Sequence, residues 1–395
     1  MQISEKNTDQ KKSKLALFEL GFRAFFLGAG ILAIISISLW SAIYLFGLVL
    51  PIEGLSIFQW HAHEMIYGYA LAVIAGFLLT AVKNWTGIHP ISSPLLGFLF
   101  ALWFAVRLCF IFAGSYLWVA ACLDLLFSII LLVAVCRPII IKKQWMQLAI
   151  VTKLLIILAF NGIFYAGVMG WLEQGVFWGI YGGLYLVLGL ILTMGRRVVP
   201  FFIEQGVGYP VSLFNSKWSD IGSLVLFTLF FISVLLLRNQ AVSAYLALAL
   251  FAINAFRLLG WYTVGIWQKS LLWSIYLSFW FITFGFLLFA ASYWFAVSPY
   301  LAIHAFAYGG IGLITIGMMS RVALGHTGRN VGKPPKAIGY GMALLVLGAV
   351  VRVVLPLLAV AHYTLWVGLS QLLWVMAFVV FVVIYTPILI KPRLE

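Results

Sequence analysis

The stretch Trp60-His61-Ala62-His63-Glu64 leads directly into Met-Ile-Tyr-Gly-Tyr-Ala-Leu-Ala-Val-Ile-Ala-Gly-Phe-Leu-Leu-Thr-Ala-Val, residues 65–82. This uncharged run approaches the length of about 20 residues that spans a bilayer as a helix. Two imidazoles and a carboxylate therefore stand at the mouth of a predicted transmembrane helix. Ionisable groups are costly at such a place and usually serve function.

The composition of the whole chain extends this prediction. Hydrophobic residues make up 65% of the sequence and charged residues 9%, and the mean hydropathy is +1.12. Soluble domains carry roughly a quarter charged residues, so a soluble globule is excluded. Twelve apolar segments of spanning length are predicted, at 22–48, 60–82, 94–113, 115–136, 148–169, 175–194, 220–237, 241–264, 271–290, 298–320, 337–357 and 363–388.

We therefore predict an all-α polytopic membrane protein with about twelve transmembrane helices. A single transmembrane domain at 22–388 would follow an N-terminal segment at 1–21 and precede a C-terminal tail at 389–395. Outside the spans, Lys and Arg concentrate in the two terminal segments and the even-numbered loops, with Arg238 as the exception. By the positive-inside rule, both termini are predicted to be cytoplasmic.

Charge and motifs exclude several other classes of function. The net charge of +14 is spread over several loops, which favours anionic lipid head groups over nucleic acid as the partner. The three cysteines form no Cys-x-x-Cys pair, so a disulfide frame or thiolate metal site is not indicated. Hydrolase and nucleotide-binding motifs are also missing from the sequence, and no catalytic residue is assigned.

A faint internal repeat has two interpretations. Spans two and six end in similar patterns, Gly76–Lys83 and Gly189–Arg196, and span ten ends more loosely in Gly312–Arg321. If the chain consisted of three four-helix units, similar helix ends would recur every four spans, as they do in spans two, six and ten. Alternatively, the cytoplasmic ends of unrelated spans simply resemble one another.

The histidines can be sorted by depth. His61 and His63 lie at the periplasmic end of span two, and His304 lies about 9 Å below the same surface in span ten, at 1.5 Å per residue. These three side chains can meet. His326 is about 33 Å further along a continuous helix, which places it at the cytoplasmic face with His89.

Helical rotation separates the first pair. Two residues correspond to about 200°, so His61 and His63 would face opposite sides, whereas Glu64 lies about 60° from His61. If the stretch is helical, the two imidazoles serve different partners. If it is extended, they could hold one metal, and copper would tolerate such a site.

His326 and His362 each have two interpretations. His326 belongs to the Gly-broken basic stretch Arg321–Arg329. This stretch is predicted to be a turn that either binds a metal or anion or is simply a solvated loop. His362 stands at a junction of loop and span, where an interfacial role is favoured.

Two intramembrane arginines need anions. Arg107 in span three has a competing partner, Asp124 in span four, and a structural ion pair is favoured because buried charges are usually paired. Arg352 in span eleven has no obvious counter-ion in the sequence. A haem held by one His from each of spans two and ten would direct its propionates to this surface, so Arg352 is the better propionate candidate and Arg107 the second.

Five motifs resemble the NnrS family and cover nearly the whole chain in order. The chain follows the family pattern, with Ala24 at a position where many relatives have Pro. The motifs are Phe22–Gly28, Trp60–Met65, Ala75–Thr80 with Asn84–Gly87, Gly195–Phe202 and Ser320–Arg329.

The resemblance implies a bacterial inner-membrane protein containing haem b and copper, associated with nitric-oxide exposure and denitrification. The family's His-bearing motifs fall on His61, His63, His304 and His326. With Glu64, these are the candidate metal ligands. Which His would take iron and which copper stays open, as does the electron donor. The protein is expected either to bind nitric oxide or another diatomic ligand, or to transfer electrons.

The catalytic subunit of haem-copper oxidases offers a fold-level analogy, with twelve spans and haem-ligating His residues on spans two and ten. Spans six and seven contain no His here, so the oxidase copper site cannot be built in the same place and oxygen reduction is not expected. The alternative function is a secondary transporter of a small solute, since twelve spans also suit that class. Transporters of the major facilitator class carry an acidic and basic Gly-rich motif in the loop between spans two and three. The corresponding loop here, at 83–94, contains no acidic residue.

Overall fold

The computed structural model describes residues 16–112, 114 and 116–394. Within these residues the chain is helical without β-strands, and twelve helices are long and apolar enough to cross a membrane, which confirms the predicted fold class. We number them α1–α12: Gly21–Phe46, Ile57–Thr86, Ser93–Phe112, Leu117–Ile141, Trp145–Val168, Gly175–Gly206, Lys217–Leu237, Gln240–Gly260, Ser270–Trp294, Pro299–His326, Lys336–Leu358 and Val360–Ile390.

Two helices extend further than expected. The predicted sixth and tenth spans end at residues 194 and 320, whereas α6 continues to Gly206 and α10 to His326. Basic residues had marked both ends, but neighbours accommodate these charges and the helices continue. Arg196 Nη1 lies 3.8 Å from Asp220 Oδ2, and the Arg321 guanidinium lies 3.7 Å from the centroid of the Phe202 ring.

The basic turn expected at 321–329 consequently starts later than predicted. Residues through His326 are helical, Thr327 is the C-cap, and Gly328 adopts a left-handed φ of 76°. A left-handed residue after a helix satisfies the last carbonyls with little steric cost when it is glycine.

Helices α2 and α10 occupy the centre of the bundle. The apolar stretch of each of these two helices is 78% buried inside the protein, against 39–61% for most of the other helices. The Tyr69 and Thr315 hydroxyls join the two helices directly. Tyr67 donates to the Gly179 carbonyl of α6 at 2.6 Å. The pair around which the other helices pack is thus the pair that carries His61 and His304.

The beginning and the end of the bundle meet on one side, which we call the N-terminal side. Arg23 Nη1 donates to the Leu389 carbonyl at 2.9 Å and to that of Lys391 at 2.5 Å. This buried guanidinium caps the last turn of α12, where carbonyls lack intrahelical partners. The opposite face, where α2 and α10 begin, we call the distal side.

Close approach of α5 and α6 depends on glycine. A Cβ at Gly167 would lie 2.3 Å from the Val176 backbone nitrogen, and one at Gly175 would lie 2.6 Å from the Ile163 carbonyl oxygen. Small residues permit such contact between membrane helices. Since the obstacles are backbone atoms, no side-chain rotation can relieve the overlap.

We therefore expect Gly167→Ala to force α5 and α6 apart and to destabilise the protein by about 1–3 kcal/mol, the usual cost of overpacking. The thermal unfolding midpoint of the purified protein in detergent should fall. Gly97→Ala is the matched control, because a Cβ there meets nothing within 4 Å. Equal thermal midpoints for the two variants would contradict the close contact of α5 and α6 at Gly167.

Candidate functional site

The two central helices share an unusual local structure. Helix α2 is α-helical to His63 and then π-helical over Glu64–Ala70, and α10 is α-helical to His304 and then π-helical over Ala305–Gly312. Such π-helical segments are rare and frequently mark functional sites. In both helices a histidine immediately precedes the change of helix type.

His61 and His63 face opposite sides of α2, as predicted for a helical stretch. The His61 ring stacks on Trp40 of α1, with centroids 4.6 Å apart and planes inclined by 8°. The His63 ring stacks on Phe164 of α5, with centroids 4.4 Å apart. The two imidazoles therefore belong to different sites.

His63 belongs to a buried polar network. Its Nδ1 lies 3.4 Å from Glu64 Oε1, and its Nε2 lies 3.1 Å from Asn161 Oδ1 and 3.5 Å from Asp124 Oδ2. The exposed fraction of His63, Asp124 and Asn161 is 0%. Both ring nitrogens thus face oxygen atoms of neighbouring side chains.

Arg107 joins the two acids of this network. Its Nε lies 3.2 Å from Glu64 Oε2, and its Nη2 lies 3.7 Å from Asp124 Oδ2. The predicted Arg107–Asp124 ion pair is confirmed. Asn161 and Tyr165 also donate to Asp124 Oδ2, at 3.1 and 3.0 Å. Opposite charges and hydrogen bonds offset much of the cost of burying these groups in an apolar medium.

Glu64 lies on a different side from the one that helical rotation suggests. An ideal helix turns its side chain toward the face of His61, but the carboxylate contacts His63 and Arg107. Two causes account for the difference. The helix changes to the wider π form at Glu64, and the Arg107 guanidinium attracts the carboxylate.

Around His304, Arg352 meets imidazole and hydroxyl groups. His304 Nδ1 donates to the Tyr300 carbonyl at 2.7 Å, and Arg352 Nη2 donates to His304 Nε2 at 3.1 Å. Arg352 Nη1 also donates to the Tyr363 hydroxyl at 3.0 Å. Arg352 is 9% exposed, and no carboxylate among the described residues forms an ion pair with it.

His61 completes this second group. It lies close enough to Arg352 and His304 for electrostatic interaction with both. Its Nδ1 is buried and has no hydrogen-bond partner among the described residues. The structure therefore brings together His61, His304 and Arg352 near the distal side, which we call the distal site.

His326 lies elsewhere. Its ring packs against Phe22 on the N-terminal side, with centroids 5.7 Å apart, and Lys83 and Arg393 lie in electrostatic range. The candidate metal ligands are thus divided among three places. In the part of the chain that the structure describes, no three His, Cys, Asp or Glu side chains are grouped to hold a metal ion.

Two polar residues of the His63 network were missed at the level of sequence. Asn161 and Tyr165 stand four residues apart in the mainly apolar fifth span, so they share one face of α5. That spacing is a signal by which the two residues could have been found from the sequence. A second one is the pattern His-x-x-x-Tyr-Gly, which begins at His63 and again at His304 and accompanies both π-helical segments.

In the part of the chain that the structure describes, fold and site together define a polytopic membrane protein of twelve helices with paired and unpaired polar groups buried at its centre. The chain belongs to the NnrS family, whose model, described as NnrS protein, matches residues 16–393. Membership supports a membrane protein of the nitric-oxide response, and the family is known for binding haem and copper. No curated protein matches the chain.

The network around His63 predicts a strong effect of Arg107→Gln on stability. The substitution leaves Glu64 and Asp124 buried without their arginine, and breaking a buried pair typically costs about 3–5 kcal/mol. We expect a much lower yield and a lower thermal midpoint of the purified protein. Arg137→Gln, at an exposed position on the N-terminal side, is the control and should be nearly neutral.

Proposed function

We propose that this protein binds haem b at the distal site, between His61 on α2 and His304 on α10, and transfers electrons in the nitric-oxide response. The single observation that carries the proposal is the juxtaposition of two imidazoles with an arginine that has no carboxylate partner among the described residues. A bound haem would supply one-electron redox chemistry.

The arrangement of His304 fits a ligand of iron. A metal-binding histidine usually donates its other ring N–H to a carbonyl or carboxylate, which fixes the ring and its tautomer. His304 makes this bond through Nδ1 to Tyr300 at 2.7 Å. Nε2 is left as the nitrogen with the lone pair, and at present it accepts a hydrogen bond from Arg352.

His61 and Arg352 fit the remaining requirements. The buried Nδ1 of His61 lacks a partner, which is unfavourable for a polar atom unless a ligand completes it. Arg352 is a cation within the membrane region and needs an anion. A haem propionate would satisfy it by a charge-assisted hydrogen bond.

For copper the residues do not offer a comparable site. Both nitrogens of His63 already face oxygen atoms, the Glu64 carboxylate pairs with Arg107, and His326 lies on the other side of the bundle. We therefore place no copper site among the described residues.

The number of histidine ligands distinguishes the two kinds of chemistry expected for this family. Two histidine ligands would saturate a bound haem iron and suit electron transfer, whereas one would leave a position open for a diatomic ligand. With both His61 and His304 present, the distal site favours electron transfer. The concentration of Lys and Arg on the N-terminal side supports a cytoplasmic location for both termini, and hence a distal site toward the periplasm of the inner membrane.

We expect His61→Ala and His304→Ala each to alter the haem spectrum while membrane insertion is retained. Each variant keeps one of the two imidazoles. Its spectrum should therefore shift on addition of nitric oxide, because a coordination position opens. Optical and electron paramagnetic resonance spectra of protein purified from haem-replete cells measure both effects. His89→Ala and His362→Ala, at exposed positions on the two sides, are the controls. Wild-type spectra in the His304 variant would refute the α10 ligand.

Arg352→Gln should lower the midpoint reduction potential of the bound haem. A nearby cation favours the reduced, less positive iron, so its removal favours the oxidised form. A spectroelectrochemical titration measures the shift, and Arg137→Gln is again the control. An unchanged reduction potential with normal haem content would show that Arg352 does not interact with the cofactor.

A further inference from the structure

A cavity of about 600 Å³ lies beside the distal site, among α6, α7, α8, α9 and α10. This volume lies within the range of about 300–1,000 Å³ that is typical of small-molecule sites. Aromatic rings form much of its wall: Phe177, Tyr181, Tyr185, Phe289, Tyr293 and Tyr300. Such a lining suits a flat apolar ligand.

The outer end of the cavity carries a cation. Arg238, the exceptional basic residue of the odd-numbered loops, lies over the Phe177 ring at 4.6 Å and donates to Gln174 at 2.7 Å. No described carboxylate forms an ion pair with it. An oxygen acceptor of a ligand would suit this guanidinium.

Tyr185 lines the inner end of the cavity. Tyr185 lies two turns deeper than Phe177 on α6, about 12 Å along the helix. The residue is 0% exposed and its hydroxyl has no hydrogen-bond partner among the described residues. A buried unpartnered hydroxyl is costly, so a ligand oxygen at this end would stabilise it.

From these two polar ends and the aromatic wall between them, we infer that the cavity binds a lipid-soluble quinone, a planar ring with oxygen atoms on opposite edges. A phospholipid fits less well, because its head group would occupy Arg238 while its acyl chains would leave the Tyr185 hydroxyl unpartnered. The inference concerns binding and does not rest on the presence of haem.

The cavity also adjoins the distal site. Tyr300 and Ile303 line it, and the Tyr300 carbonyl accepts the Nδ1 hydrogen of His304. Tyr300 therefore lines the cavity and also orients an imidazole of the distal site through its backbone carbonyl.

Binding is tested with decylubiquinone and the full-length protein, purified in detergent and immobilised. The quinone retained after washing is extracted and quantified by chromatography across a concentration series. The wild type should saturate at about one quinone per chain. Tyr185→Phe and Arg238→Gln should each weaken binding roughly five- to tenfold, the effect of losing one hydrogen bond of ordinary or slightly greater strength.

Two matched variants serve as controls. Tyr385→Phe removes the hydroxyl of another fully buried tyrosine, on α12, and Arg137→Gln removes an exposed arginine on the N-terminal side; both should bind like the wild type. Retention no greater than on protein-free resin would overturn the inference, as would unchanged binding by both cavity variants or phospholipid recovered in place of quinone. Haem content, read from the same samples, reports separately on the proposed function.

Discussion

The structure depends on one constraint: a charge inside an apolar membrane must meet an opposite charge or a ligand. The acids Glu64 and Asp124 satisfy it with Arg107, at 3.2 and 3.7 Å. Among the described residues, Arg352, at a comparable degree of burial, meets an imidazole and a phenol but no carboxylate. This contrast separates a polar network whose charges are paired within the protein from a site whose cation has no described carboxylate partner.

The geometry of α2 produces this separation. Because His61 and His63 are two residues apart on a helix, one faces α1 and the distal site while the other faces α5 and the network of Arg107, Glu64 and Asp124. The π-helical segments that follow His63 and His304 occur at the same place in the two most buried helices. Their common His-x-x-x-Tyr-Gly pattern is consistent with an internal repeat, although the division into three four-helix units stays a prediction.

Much of this architecture could be predicted from sequence, because membrane spans and charge pairing follow from simple energetics. The twelve helices, the Arg107–Asp124 pair and the divergence of His61 and His63 are confirmed. The direction of the Glu64 side chain could not be predicted, since it depends on the π-helical change and on a neighbouring helix. The ends of α6 and α10 were missed because charges that usually end a span are accommodated here by Asp220 and Phe202.

The central claim is that one haem lies between His61 and His304. Electron cryo-microscopy of the protein purified from haem-replete cells tests it most directly. The account predicts planar density between the two imidazoles, with its acidic edge toward Arg352 and the direct bond from Arg352 to His304 broken. Well-resolved side chains that keep this bond, with no density between the imidazoles, would contradict it.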